Sequence, residues 1–592
     1  MNNFLKKITR VDIIKFLIMI SIFVILFRCF NLQYTDTKKY SNLIKGIEVK
    51  NYIIRTSRGS IVDRNNIVLA ESIPMNTLIV NNTKKFLKDE KSLKKLCGIL
   101  NKDYRDLLRE LKNRENKNFS YIKNGRYLSS EITNKISDLN LSGAEFITEF
   151  QRYYPEGEIL APLIGMTDFH HNGQMGIEKS FNSLLMGNNG EKIVMTDLHG
   201  KVVKEIRQVS APKEGKKLTL TIDSRLQYVA YRELKNQVRK VNAESGSVVI
   251  LDSTNGDILA TASYPSYNPN DRKTYSPEKE RNRVIIDSLE PASTIKPFLL
   301  AAALHSEKVN LSDNFDTSPG YRRLDNKTYK DIKNFGELTT EGVIIKSSNI
   351  GSIMISEKFN KKIFYDLLEH IGIGEKINTN FPSEVEGVLT HYSEWGNSDV
   401  RSLAMGYHCK VTPLQLAKAY SVIANNGLVI NPKILKSDKI QINESKKYEK
   451  EFKKVKNVIK KVIESGSAKR AAIEGYTAGG KTGTAKLYIG GNKKNKYSDD
   501  DHISLFAGIT PVIKTKLVIV VVINKPKTKI HFGGYVAAPV FKKIATDSLR
   551  ILNINPDNIL DYQKKVSNEV EKLDRYPYKN PEVSNVFWIN WY

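Results

Sequence analysis

Gly479-Gly480-Lys481-Thr482-Gly483-Thr484-Ala485 reads as a strand edge shaped for close approach to a ligand. Its glycines put no side chain between backbone and visitor, and its β-branched threonines favour the extended conformation. Lys481, Thr482 and Thr484 together offer one positive charge and two hydroxyls, a set suited to a carboxylate. A lysine-threonine-glycine run by itself is an ordinary turn more often than a site. Two short motifs that precede it in order change its meaning: Ser293-Thr294-Ile295-Lys296 and Ser347-Ser348-Asn349.

Ser293 and Lys296 stand three residues apart, which on a helix puts both side chains on one face. Pro291 suits a helix start, and Phe298 to Leu304 continues as a buried helix. Ser293 is therefore expected at a helix N-terminus, where the partial positive charge favours an oxyanion. A serine hydroxyl attacks only when a neighbour takes its proton. Lys296 serves if burial or a nearby cation keeps part of it neutral, and Lys481 is the expected cation. Ser92-Leu93-Lys94-Lys95 and Ser276-Pro277-Glu278-Lys279 share the spacing by chance; neither leads into such an apolar helix. Ser347-Ser348-Asn349 falls at a turn between two apolar runs, where Ser347 would relay a proton and the Asn349 amide would hold a peptide carbonyl. The backbone N–H groups of Thr484 and Ser293 form the expected oxyanion hole, each worth a factor of about 10² to 10³.

At 592 residues the chain holds two or three domains. Its net charge of +28 is spread over the whole length without zinc-finger, RNP or basic-zipper spacing, which argues against a nucleic-acid partner. Three distant cysteines and the lone doublet His170-His171 give neither a disulfide framework nor a metal site, so no metal or cofactor is expected. Residues 1–12 form a basic N-terminus with Lys6, Lys7 and Arg10. The apolar stretch 13–33 then reads as a retained single-pass anchor, with no small-x-small cleavage site after it. Residues 34–217 mix short strands with lysine-rich surface helices and bring no nucleophile to a base; a supporting role is expected. A second domain, 218–550, starts with a strand, a helix capped by Asp223 or Ser224, and a hairpin at 247–264 turning at Thr254-Asn255-Gly256-Asp257. It ends with strands at 503–509 and 517–523. Strands from both ends with helices between predict an α+β fold. A charged tail, 551–592, closes with Phe587-Trp588-Ile589-Asn590-Trp591-Tyr592.

The three motifs in this order are an established signature of serine β-lactamases and penicillin-binding proteins. The chain closely resembles class B penicillin-binding proteins over roughly residues 45–550. Arg58-Gly59-Ser60-Ile61-Val62-Asp63-Arg64-Asn65, Arg152-Tyr153-Tyr154-Pro155 and Gly176-Ile177-Glu178-Lys179-Ser180-Phe181 look like the family's non-catalytic boxes. Ser263 to Asn270, Thr412-Pro413-Leu414-Gln415-Leu416-Ala417 and Gly533 to Phe541 look like catalytic-domain landmarks. Within the class the chain is most similar to the division-specific (septal) transpeptidase of Gram-negative bacteria, through the run Tyr231 to Ser247 and the asparagine at 349.

The resemblance implies an antiparallel sheet flanked by helices, preceded by a membrane helix and an elongated pedestal of dimerisation type. It implies Ser293 as acyl-ester nucleophile, Lys296 as general base, and Ser347 and Asn349 as the second catalytic motif. Lys481, Thr482, Gly483 and Thr484 would bind the donor's terminal carboxylate. The implied reaction cross-links peptidoglycan stem peptides, with Ser293 attacking a D-Ala-D-Ala bond, D-alanine leaving and a neighbouring amine taking the acyl group; β-lactams would acylate Ser293 as mimics. Implied partners are a polytopic glycan-polymerising membrane protein and other division proteins. The implied location is the inner membrane at the septum, with a periplasmic catalytic domain. Alternatives are an elongation- or sporulation-type transpeptidase, a carboxypeptidase or β-lactamase-like hydrolase, and a non-enzymatic division scaffold. Ala292 and Asn66 stand where glycines are usual, and His408-Cys409 fills a position that generally contains glycine.

Overall fold

The computed structural model describes residues 10–35, 48–112, 120–196, 202–325, 327–437, 442–443, 447–488 and 497–558. Lys6, Lys7 and the aromatic C-terminus lie outside the described residues. Arg10–Phe30 is one α-helix without a buried residue, and 10–34 is long and apolar enough to cross a membrane.

The chain divides into two compact units, neither of them continuous in sequence. One comprises 1–59, 72–152 and 186–216; the other comprises 60–71, 153–185 and 217–592. The first unit has an antiparallel three-stranded sheet of Glu48–Ile54, Gly190–Thr196 and Val202–Ser210. Its lysine-rich segment forms helices at Glu90–Ile99 and Tyr104–Lys112. These are more than surface decoration: Leu93, Leu96, Leu107 and Leu111 are buried in a core with Phe86 and Ile136. The helical spacing of leucines among lysines is what buries one face. Beside that core the fully buried Glu149 accepts hydrogen bonds from Arg126 (2.6 Å), Tyr121 (2.9 Å), Thr77 (3.1 Å) and Arg55.

The second unit is built on five antiparallel strands: β1 (Ser245–Asp252), β2 (Ile258–Tyr264), β3 (Gly479–Tyr488), β4 (Tyr497–Thr510) and β5 (Leu517–Asn524). Their order is β2-β1-β5-β4-β3, so strands from the two ends of the unit meet at β1 and β5, where Val248 lies opposite Val521. The expected α+β fold is present. Gly256 turns the β1–β2 hairpin at φ +77°, a conformation that disfavours a Cβ. β5 is buried from Leu517 through Ile523, as expected of a central strand covered on both faces.

Helix α1 (Ser224–Lys240) starts at Asp223, whose carboxylate accepts from the N–H of Arg225 at 3.1 Å. Helix α2 (Lys296–His305) is buried at every position from Lys296 to Leu304. Helices α3 (Thr340–Lys346) and α4 (Asn349–Ser356) follow, then α5 (Pro413–Ala424), buried throughout and opened by a Thr412–Gln415 capping box. Phe298 of α2 meets Tyr420 of α5 edge-on at 5.6 Å, and the Tyr420 hydroxyl donates to the Thr294 carbonyl at 2.9 Å. A helix apolar on all sides has nowhere to sit but the centre of a core. That location makes α2 a rigid mount for whatever precedes it.

Segments 60–71 and 153–185 join this core through Ile61, Leu69, Tyr154, Leu163 and Ile177. Asp63 is the polar pin of the first segment. Fully buried, its carboxylate accepts from the N–H groups of Asn65 (2.7 Å), Ile67 (2.8 Å) and Ser224 (3.1 Å) and from the Ser224 hydroxyl (3.0 Å). Asp63→Ala strands these donors, so we expect a loss of about 3 kcal/mol of stability, read as a lowered urea midpoint of the detergent-solubilised protein. An unshifted midpoint would show that the pin is dispensable.

Candidate active site

The turn carrying Ser293 is tighter than a simple helix start. Ala292–Ile295 is a 3₁₀ turn leading into α2, with Thr294 Oγ1 bonded to the Pro291 carbonyl at 2.6 Å. Ala292 adopts φ +48°, in the left-handed region that costs a residue with a Cβ about 1 kcal/mol. Its N–H donates to the Gly406 carbonyl at 2.9 Å, and a Cβ on Gly406 would fall 1.8 Å from the Ala292 carbonyl oxygen. An alanine in place of the usual glycine before Ser293 is thus tolerated under strain, because the 406 loop holds the turn from outside.

Lys296 begins α2, wholly buried. Its amine donates to the carbonyls of Ser347 (2.9 Å) and Ser348 (3.1 Å) and to Asn349 Oδ1 (2.8 Å). Those acceptors exist because the chain breaks between α3 and α4: Ser347 takes φ +63° as the end of α3, and Ser348 caps α4 by accepting from Gly351 N–H at 2.9 Å. Lys481, also wholly buried, reaches in from β3 and donates to Ser347 Oγ at 2.8 Å. One serine therefore links both lysines, to Lys296 through its carbonyl and to Lys481 through its hydroxyl. Lys296, Ser347, Asn349 and Lys481 meet around it, and Ser293 stands on the turn that opens α2.

Burial pushes the Lys296 amine down to about 7, against the opposing pull of the Asp331 charge. Lys481 is held well below its ordinary value by burial and then by the nearness of Lys296. Of the two expected causes, burial and the nearby Lys481, burial dominates, since a charge without solvent is the costlier state.

β3 forms the sheet's open edge, and Gly483 on it needs its missing side chain. A Cβ there would lie 3.0 Å from Thr294 Cγ2 and 3.1 Å from the Pro291 carbonyl oxygen. Thr484 Oγ1 accepts from the Gly533 N–H at 3.0 Å, and Thr482 Oγ1 lies 3.3 Å from Ser467 Oγ. The Asn349 amide is already partly engaged, with Nδ2 donating to the Lys330 carbonyl at 3.0 Å. One N–H of that amide is left for a visitor. Three residues escaped the motif reading: Gly533, Ser467 and above all Asp331. Gly533 lay inside a quoted landmark; nothing about Ser467 or Asp331 as a residue type or in its spacing pointed here. Among the described residues no cluster of His, Cys, Asp or Glu is arranged to hold a metal.

Comparison with known proteins places this geometry in a family. Residues 246–546 match the penicillin binding protein transpeptidase domain, and residues 53–220 match the penicillin-binding protein dimerisation domain. The chain is 35% identical over 515 residues to the probable peptidoglycan D,D-transpeptidase PbpC of Pseudomonas aeruginosa, covering 87% of this chain and 90% of that protein. It is 35% identical over 513 residues to the peptidoglycan D,D-transpeptidase FtsI of Escherichia coli K12, covering 85% of each. The probable peptidoglycan D,D-transpeptidase PenA of Neisseria meningitidis serogroup B is 34% identical over 515 residues, covering 86% of this chain and 87% of that one. Among solved structures, the TP domain of Burkholderia pseudomallei penicillin-binding protein 3 aligns with a TM-score of 0.52 at 32% identity, over 57% of this chain and 97% of that one. A peptidoglycan synthetase from Bifidobacterium adolescentis shares the fold, with a TM-score of 0.65 at 24% identity over 86% of this chain and 98% of that one.

The chain belongs to the penicillin-binding protein transpeptidases, with the class B pairing of dimerisation and transpeptidase domains. It is a serine-type D,D-transpeptidase acting on peptidoglycan. Near-equal identity to PbpC, PenA and FtsI favours no one of them.

A Cβ on Gly533 would sit 2.3 Å from the Leu505 carbonyl oxygen and 2.4 Å from that of Gly483. Gly533→Ala must therefore push the Gly533 segment and β3 apart next to Thr484. We expect penicillin acylation to slow about 100-fold, the scale of a 1 Å misplacement, while the circular dichroism spectrum is retained. Acylation at the normal rate would mean that β3 tolerates the shift.

Proposed function

We propose that this protein is the septal transpeptidase of its cell, with Ser293 as nucleophile, Lys296 as general base, and Ser347 and Asn349 completing the catalytic motif. Lys481, Thr482, Gly483 and Thr484 bind the carboxylate of the donor stem peptide. The observation that carries the assignment is the Lys296 amine, buried against Ser347, Ser348 and Asn349 and made basic near neutrality.

In this reading the donor's terminal carboxylate lies on β3 between the Lys481 amine, whose protonation the arriving negative charge favours, and the two threonine hydroxyls. Ser293 Oγ attacks the carbonyl between the last two D-alanines as Lys296 takes its proton. The negative charge of the tetrahedral intermediate faces the N–H groups of Ser293 and Thr484. The C–N bond then breaks, and the departing D-alanine takes the proton that Lys296 accepted, passed along Ser347. A second stem peptide's amine attacks the ester and gives up its proton to Lys296; the bond from Ser293 Oγ to the acyl carbon breaks, and Lys296 returns the proton to Oγ. A β-lactam follows the first half of this course and stops as the ester.

Support for the septal role is the asparagine that ends the second motif, together with the run Tyr231 to Ser247. The apolar helix at 10–30 would anchor the chain in the inner membrane, with the catalytic unit periplasmic. A polytopic glycan-polymerising protein is the expected neighbour in that membrane.

Fluorescent penicillin followed by peptide mapping should place the adduct on the peptide containing Ser293, and Ser293→Ala should abolish it. An adduct elsewhere ends the assignment. Because only the unprotonated amine accepts a proton, the acylation rate should climb as pH rises through about 7 and level off above it. A rate flat from pH 5 to 9 would remove Lys296 as the base. A fluorescent fusion should gather at mid-cell; a side-wall pattern would point to the elongation role.

A further inference from the structure

Residues 531–533 lie against the sheet face that carries Thr484 and are fastened to it at three points. The Gly533 N–H donates to Thr484 Oγ1 at 3.0 Å. Ser504, directly opposite Thr484 on β4, donates its hydroxyl to the His531 carbonyl. His502, two residues earlier on β4 and so on the same face, has the His531 ring flat against its own, with centroids 3.7 Å apart and planes 18° from parallel. His502 is buried, and its Nδ1 lies 3.1 Å from the Asp500 carbonyl; a carbonyl only accepts, so Nδ1 carries the ring hydrogen. The two imidazoles thus hold the segment that brings Gly533 to Thr484, and neither belongs to the three motifs.

We propose that His502 and His531 are a positioning pair for the carboxylate subsite: stacked while one ring or both are neutral, they keep Gly533 on Thr484, and they part in acid when both rings are charged. The proposal rests on Thr484 receiving the donor's carboxylate, as assigned above. A neutral ring stacks on a neutral or a charged one, whereas two imidazolium ions held face to face repel. The charges around the pair do not offset that repulsion. Lys486 stands opposite His502 on β3, and Lys525, Lys527 and Lys529 lie on the chain between β5 and His531. Asp501, beside His502, is paired with Lys527 at 3.0 Å and lies 4.0 Å from Lys525, which also pairs with Glu244 at 2.7 Å. Burial, and after it His502, hold the His531 ring below the ordinary histidine value of 6.5. With the folded value lowered, the stack contributes in full above about 6.5 and is lost as pH falls through the lower, folded value.

The test compares wild type with His531→Phe, which keeps a flat ring on His502 and cannot take a proton. The second-order rate of acylation by a fluorescent penicillin is measured from pH 5 to 9 on each full-length protein in detergent. Any pH dependence of Lys296 is common to both and cancels in the ratio of their rates. That ratio should stay level above pH 7, and wild type should fall behind by about tenfold at pH 5. The factor is smaller than the 100-fold of a 1 Å displacement because the segment is loosened and not removed. His502→Phe reads the same change from the other ring and serves alone should His531→Phe not fold. His531→Ala leaves no ring to stack, so at pH 8 it should be acylated about tenfold more slowly than wild type. A ratio level from pH 5 to 9, or a wild-type rate for His531→Ala at pH 8, overturns the proposal. Thr484→Val separates the two failures. A slow Thr484→Val beside a level ratio defeats the histidine pair alone, whereas a Thr484→Val protein acylated at the wild-type rate defeats the subsite assignment beneath it.

Discussion

The site depends on keeping a long cationic side chain out of water. Lys296 starts a helix that is buried along nearly its whole length, and its amine has three protein oxygens in place of solvent. Burying an ammonium is expensive unless it is hydrogen-bonded or neutral, and Lys296 meets the problem both ways. Each of the three oxygens comes from the break between two helices, and that break exists because Ser347 takes a left-handed conformation. Loosen the helix and the amine drifts into water; straighten the break and it loses its partners.

The surrounding architecture follows from that constraint. A five-stranded sheet and two helices buried along nearly their whole length make a core stiff enough to hold an unfavourable group at fixed coordinates. The turn carrying Ser293 is braced from several directions: Tyr420 on the Thr294 carbonyl, the Gly406 carbonyl on the Ala292 N–H, and β3 against Thr294 at Gly483. Ala292 in a left-handed conformation records how much the surroundings impose on that turn.

Much of this was legible in the residues. The hairpin at 247–264, the late strand pair and the Asp223 cap are local signals, and the folded chain keeps all three. The motif residues 296, 347, 349 and 481 assemble because chemistry of that kind needs particular residue types at particular places. What stayed hidden was non-local. Asp331 is one aspartate among many, and only the folded chain shows both its oxygens turned toward the motif. Gly533 has its meaning from two carbonyls remote in sequence. The shift of Lys296 was foreseeable, with burial and a nearby cation as its two candidate causes, but only the packing of atoms around the amine shows that burial outweighs the cation. The division of the chain into two interleaved units was equally out of reach, as segments 60–71 and 153–185 declare their allegiance only through contacts such as those of Ile61 and Leu163.

The position of β3 at the rim of the sheet has a stereochemical corollary. An extended peptide laid along it is read by its main chain, in a fixed direction and a two-residue register. Inverting one α-carbon in such a ribbon sends its methyl group to the face opposite the one an L-residue would use. Handedness can then be sorted by a wall on one face alone, without a pocket moulded to the methyl group.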